Sequence, residues 1–181
     1  MFPVNIIHGK AERLGLNYLV IGGHAINAYA TVRATVDVDF LVCRDEIEKW
    51  TELLNAEGFK LKHDAGTFRQ FSPPYGIEWP LDVMVVNRST FNKLMGAARP
   101  LEVLGITALV PSAEHLVALK LHALKHGNID RFDKDMGDVI RLIKDAGIQA
   151  RSPAFKEMAE QFGTAEIYER ILKRLETNSG S

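Results

Sequence analysis

Hydrophobic positions change their spacing along this chain. In its front part they come in short runs separated by turn residues, and toward the C-terminus they recur at helical intervals. Residues 4–14 predict a short helix with Gly15 as its stop. Tyr18-Leu19-Val20-Ile21 is a short apolar run that suits a buried strand, and Gly22-Gly23 breaks it ahead of a helix over 25–30. Residues 36–42 are rich in β-branched side chains and predict a strand. Asp45 with Glu48 forms a capping box for a helix to about Glu57, in which Ile47, Trp50 and Leu54 share a face and Gly58 marks the end. Residues 59–62 and 67–71 predict a hairpin, Pro73-Pro74-Tyr75-Gly76 a loop, and 81–86 another buried strand. Ser89 or Thr90 is expected to cap a helix to about Gly96, followed by weak strands at 101–103 and 107–110. Ser112 caps a helix to about Lys125, Gly127-Asn128 interrupts, and helices follow over 131–144, from Pro153, and over 165–176.

This order of elements implies an α+β fold: a mixed sheet of about five strands with flanking helices, followed by a C-terminal helical bundle. The break near His126–Asp130 divides the chain into an α/β core over 1–126 and a helical subdomain over 127–181. With 181 residues, 46% hydrophobic and 25% charged, the chain is long enough to bury a core without disulfide or metal staples. A formal net charge of −1 argues against a dedicated duplex-DNA binder and leaves room for RNA held by a local patch. The single cysteine, Cys43, excludes an internal disulfide and a cysteine-based zinc site and fits a reducing compartment. No stretch approaches the ~20 apolar residues that span a bilayer, and no signal-peptide pattern opens the chain. The expectation is a cytoplasmic protein without a membrane partner, with a frayed polar end at 177–181.

The chemistry concentrates around Ile21-Gly22-Gly23-His24-Ala25 and Asp37-Val38-Asp39-Phe40. On a strand, residues i and i+2 share a face, so Asp37 and Asp39 project together while Val36, Val38 and Phe40 point into a core. Paired like charges on a half-buried strand are costly unless a cation or proton relieves them. A pair of divalent ions ~3.5–4 Å apart suits this spacing, and oxygen-only ligands favour Mg²⁺ or Mn²⁺. The bland alternative is a solvent-facing edge strand. Three features weigh against it. Gly22-Gly23 lies between strand and helix, where backbone N–H groups can approach a phosphate, although most such pairs are plain turns. Asp82 sits inside the apolar run Leu81-Asp82-Val83 and needs a partner: the same ions, or a salt bridge to Arg33 or Arg69. Arg33 and Thr35 precede the aspartates, where they would meet a phosphate chain or cap the loop.

Gly22-Gly23, Asp37, Asp39 and Asp82 together resemble the nucleotidyltransferase superfamily related to polymerase beta. Its pattern is an apolar-Gly-Gly/Ser turn, Asp-x-Asp on a strand and a third acidic residue on a neighbouring strand. Within it, the Arg33-x-Thr35-x-Asp37-x-Asp39 run is most similar to the AbiEii-like toxin group. In the back half Lys120 matches that group's helical lysine, and Lys134, Asp135 and Asp138 match its basic-Asp-x-x-Asp helix.

The resemblance implies transfer of a nucleoside monophosphate from an NTP to an acceptor hydroxyl. Asp37, Asp39 and Asp82 would hold the metals, and Asp82 would help accept the acceptor's proton. The Gly22-Gly23 backbone and the helix beginning near His24 would hold the triphosphate, with Arg33, Thr35 and Asp135 beside the nucleotide. Lys120 would stabilise departing pyrophosphate; as a helical lysine it could equally be solvated. Asp135 and Asp138 could equally be ordinary surface charges. The implied role is a toxin acting on tRNA or another RNA, with an antitoxin protein as partner. An antibiotic hydroxyl as acceptor and a catalytically silent nucleotide- or protein-binding member are the alternatives. His115, His122 and His126 are read as exposed helix histidines. Lys120, Lys125, Arg131 and Lys134 are a candidate basic patch, and Ile167, Ile171, Leu172 and Leu175 a core stripe.

Overall fold

The computed structural model describes residues 3–127 and 129–177. Asn128 and the last four residues of the expected polar tail therefore lie outside the described residues. The chain clusters into two compact units. One contains the residues up to Ala28 and Arg33–Ser112; the other contains Tyr29–Val32 and the residues from Ala113 onward.

The first unit is built on a five-stranded mixed sheet. In chain order its strands are β1 (Tyr18–Ile21), β2 (Val38–Cys43), β3 (Lys60–Asp64), β4 (Phe68–Ser72) and β5 (Leu81–Val86), and their spatial order is β1-β2-β5-β4-β3. Only β2 and β5 run parallel. Helices α1 (Pro3–Arg13), α2 (Gly22–Asn27), α3 (Ile47–Ala56) and α4 (Arg88–Gly96) complete this part of the unit. The two weak strands form their own ribbon, β6 (Arg99–Val103) with β7 (Ile106–Val110), and β7 lies against β1.

Alternation along β2 explains where the core sits. Val38 and Phe40 are fully buried, and the Phe40 ring lies 4.4 Å from Tyr18 and 6.1 Å from Trp50, centroid to centroid. Fully burying such aromatic side chains contributes about 1.5–3 kcal/mol each. Asp37 and Asp39 occupy the alternate positions and are half-buried. The strand starts later than expected: Val36 is 69% exposed, not in the core, and the ladder begins where Val38 N–H donates to Pro80 O at 3.1 Å.

Two predicted caps are replaced. Asp45 and Glu48 do not form a capping box, because arginines distant in sequence take their carboxylates: Arg88 Nε donates to Asp45 at 3.0 Å and Arg69 Nη2 to Glu48 at 2.9 Å. A short 3₁₀ turn, Arg44–Glu46, leads into α3 instead. Helix α4 is capped by Asn87, whose Oδ1 accepts from the Thr90 N–H at 2.8 Å, leaving Ser89 and Thr90 inside the helix. Asparagine is among the best capping residues, and here it starts the helix earlier.

The second unit holds α5 (Ala113–His126), α6 (Phe132–Asp145), α7 (Pro153–Phe162) and α8 (Ala165–Thr177). The expected boundary at residue 126 falls inside it, between α5 and α6. Met136, Val139, Leu142 and Ile143 are the buried apolar face of α6, and Ile167 and Ile171 are buried on α8, as core residues. Ser152 caps α7 through its side chain, which accepts from Phe155 N–H at 3.2 Å. Among the described residues no helix is long and apolar enough to cross a membrane.

Candidate active site

Residues 33, 35, 37 and 39 are half-buried while 34 and 36 are exposed, so an extended chain presents Arg33, Thr35, Asp37 and Asp39 on one face. Side-chain bonds shape it. The Asn27 amide clamps Arg33 at both backbone groups, accepting from its N–H at 3.1 Å and donating to its C=O at 2.8 Å. Thr35 Oγ1 donates to Asp37 Oδ1 at 2.7 Å. Arg33 also turns Nη1 onto the Ala34 carbonyl at 2.9 Å.

Sheet register brings in the third carboxylate. In the parallel β2–β5 pairing Asp39 stands opposite Asp82, and in the antiparallel β4–β5 pairing Gln70 stands opposite Asp82. Asp82 is 8% exposed between fully buried Leu81 and Val83. One carboxylate oxygen from each of Asp37, Asp39 and Asp82 lies within 4.8 Å of the others. This donor set is hard, anionic and oxygen-only, which fits Mg²⁺ or Mn²⁺. The alternative of a bridge to Arg69 is not realised. That guanidinium is spent on Asp64 at 2.9 Å, Glu48 at 2.9 Å and Thr51 at 2.6 Å.

The glycines have a steric reason to be here. Gly22 has φ +64°, and a β-carbon on it would lie 1.9 Å from Asp39 Oδ2; one on Gly23 would lie 2.6 Å from Thr35 Oγ1. Absence of side chains lets the acidic face close on the turn. Helix α2, which begins at these glycines, has six residues, so its dipole is small and the turn's own N–H groups are the larger resource for an anion. His24 is 9% exposed and stacks on Trp79 with ring centroids 5.0 Å apart, and its Nε2 has no hydrogen-bond partner. Burial pushes its pKa below the ordinary histidine value; Asp37 opposes this and Arg33 reinforces it.

Lys120, Asp135 and Asp138 meet within the helical unit. Lys120 Nζ donates to Asp135 at 2.6 Å and lies 3.0 Å from Asp138, and Arg141 Nη2 donates to Asp138 at 2.8 Å. The side chains of Asp135 and Asp138 are 8% and 1% exposed, so neither is an ordinary surface charge. Lys120, 13% exposed, is likewise no part of a solvated basic patch. Arg141 continues to the Thr31 carbonyl, and Asp145 accepts from Thr31 N–H and Oγ1, each at 2.7 Å. The His122 and His126 rings lie 4.6 Å apart, tilted by 50°, and the group of three candidate metal ligands found among the described residues includes neither.

Sequence reasoning missed Gln70, Asn27 and the Thr31–Asp145 contact. A polar residue alternating with Arg69 and Phe71 marked Gln70 as facing away from them, but its partner was fixed only by register.

Several solved structures share this fold. Antibiotic-resistance factor ANT(2'')-Ia in solution is 15% identical, with a TM-score of 0.65 over 98% of this chain and 96% of that one. An antigenic nucleotidyltransferase-like protein from Paracoccidioides brasiliensis is 18% identical, with a TM-score of 0.55 over 94% and 90%. Lincomycin-bound lincosamide antibiotic adenylyltransferase LnuA is 16% identical, with a TM-score of 0.53 over 78% and 94%. No curated protein matches the chain. A family match extends over residues 7–177 and so takes in the glycine turn, the three aspartates and all four C-terminal helices: the chain belongs to the uncharacterised nucleotidyltransferase family and is a nucleotidyltransferase.

Proposed function

We propose that the protein transfers a nucleoside monophosphate from an NTP to an acceptor hydroxyl at the face formed by Asp37, Asp39 and Asp82. The carrying observation is the approach of these carboxylates to within 4.8 Å of one another. The three residues would hold Mg²⁺ or Mn²⁺, which supplies Lewis-acid chemistry: a lower pKa for the acceptor hydroxyl and neutralised phosphate charge. Asp82, the most buried of the three, takes up the acceptor's proton as its oxygen bonds to the α-phosphorus. The bond from that phosphorus to the bridging oxygen breaks and pyrophosphate leaves. The Gly22-Gly23 backbone and the first turn at His24 bind the triphosphate. Thr35 orients Asp37, and Arg33 offers its charge to the phosphates.

The Arg33-x-Thr35-x-Asp37-x-Asp39 run supports membership of the AbiEii-like toxin group. In that reading the acceptor is tRNA or another RNA, an antitoxin is the protein partner and the cytoplasm is the site of action. The names of two structural neighbours, an antibiotic-resistance factor and a lincosamide antibiotic adenylyltransferase, favour a second reading, in which the acceptor is a hydroxyl of an antibiotic. Stabilisation of departing pyrophosphate by Lys120 and a place for Asp135 beside the nucleotide belong to the same proposal. For Lys120→Met, a fall in turnover larger than the loss of folded protein would support it.

The test is incubation with each α-labelled NTP and Mg²⁺, against total RNA in one arm and a panel of hydroxyl-bearing antibiotics in the other. Asp37→Ala/Asp39→Ala serves as the control. Label on tRNA supports the first reading and label on a small molecule the second; equal labelling by the control would overturn both.

A further inference from the structure

The Gln70 side chain donates from Nε2 to Asp82 Oδ1 at 3.1 Å. A carboxylate only accepts, so the nitrogen must be the amide atom nearest it. The contact is built into the sheet, because directly opposed residues on adjacent strands project from the same face and Gln70 and Asp82 are such a pair. Gln70 is half-buried and Asp82 buried, so water competes little for the bond.

We propose that Gln70 is a positioning residue for Asp82, fixing the rotation of its carboxyl group so that it faces Asp37 and Asp39. The inference rests on the function proposed above. Two features make the residue type suitable. An amide orients a carboxylate without cancelling its charge, whereas an arginine or lysine in its place would compete with a cation for that charge. Its length also matters, since the amide reaches from β4 to Asp82 on β5 at 3.1 Å. Thr35 does the corresponding work for Asp37, again with an uncharged donor, at 2.7 Å. Asp37 and Asp82 thus each accept a hydrogen bond from a neutral neighbour. Groups that orient metal-binding residues from behind typically account for about 10–100-fold in metal affinity or activity.

The experiment compares Gln70→Met, which keeps the volume and loses the donor, with Gln70→Asn, which keeps the amide but withdraws it by one methylene. Asp82→Asn is the control. Free Mn²⁺ is titrated by electron paramagnetic resonance without nucleotide, turnover is measured at saturating Mn²⁺, and melting temperature is measured in chelator. We expect both Gln70 variants to bind Mn²⁺ about tenfold more weakly and to lose kcat, with KM for the NTP and the chelated melting temperature unchanged. Wild-type Mn²⁺ affinity in either folded variant, or a lowered melting temperature with unchanged kcat per folded molecule, would overturn the proposal. If Asp82→Asn itself leaves Mn²⁺ binding and turnover intact, it is the metal-site reading that fails. If that control loses both while the Gln70 variants lose neither, only the role of Gln70 fails.

Discussion

Gly22 and Asp39 are packed so closely that a β-carbon on residue 22 would lie 1.9 Å from Asp39 Oδ2. The glycine also sits at φ +64°, where a side chain is strained by about 1 kcal/mol or more. Gly22→Ala must therefore displace the carboxylate or the turn. The expected result is a modest loss of stability, about 1–3 kcal/mol by chemical denaturation, together with a loss of nucleotide transfer far larger than the loss of folded protein. Wild-type turnover in the folded variant would show that Asp39 can move without consequence.

Metal should stabilise the acidic face because it binds the folded arrangement and not the unfolded chain. Adding Mg²⁺ to chelated wild-type protein is expected to raise the melting temperature, and Asp39→Asn or Asp82→Asn to abolish that rise along with turnover. Chelation of the wild type should stop transfer reversibly. A melting temperature indifferent to Mg²⁺ and Mn²⁺ would contradict the assignment of these carboxylates.

Lys120 is the cation between Asp135 and Asp138 in the helical unit. Lys120→Met takes a cation away from two buried carboxylates, and breaking a buried pair by removing one partner costs about 3–5 kcal/mol. Chemical denaturation should show a loss of that size, reduced when Asp135→Asn is added because the stranded charge is then gone. Additive losses in the double variant would mean that the two residues are not coupled.

His24 gives the fold a pH dependence. Its pKa is held below the ordinary 6.5 mainly by burial, so the unfolded chain binds the proton more readily than the folded one. Stability is fully present above pH 6.5 and declines as pH falls from there toward the lower folded value. His24→Phe keeps a ring against Trp79 and removes the ionisation. Melting curves between pH 7 and 5 should fall less steeply for the variant than for wild type; parallel curves would show that the histidine does not titrate on unfolding.

Local structure was readable from the chain. The β-branched run with alternating aspartates, the Gly-Gly break after an apolar strand and the apolar run around Asp82 carry their structure in their own neighbours, because strand period and turn conformation are short-range properties. Strands β1 and β5 stand at the residues their composition marks, and the helical back half follows its apolar spacing. Tertiary structure decided everything that needed a partner remote in sequence. Asp45 and Glu48 were drawn from a helix start by Arg88 and Arg69. Lys120 was withdrawn from the surface by Asp135 and Asp138. Asp82 reached Asp39 through a parallel pairing, and Gln70 reached Asp82 through an antiparallel one. Strand composition states which side chains share a face; only the register between strands, set by packing over the whole sheet, states which of them meet.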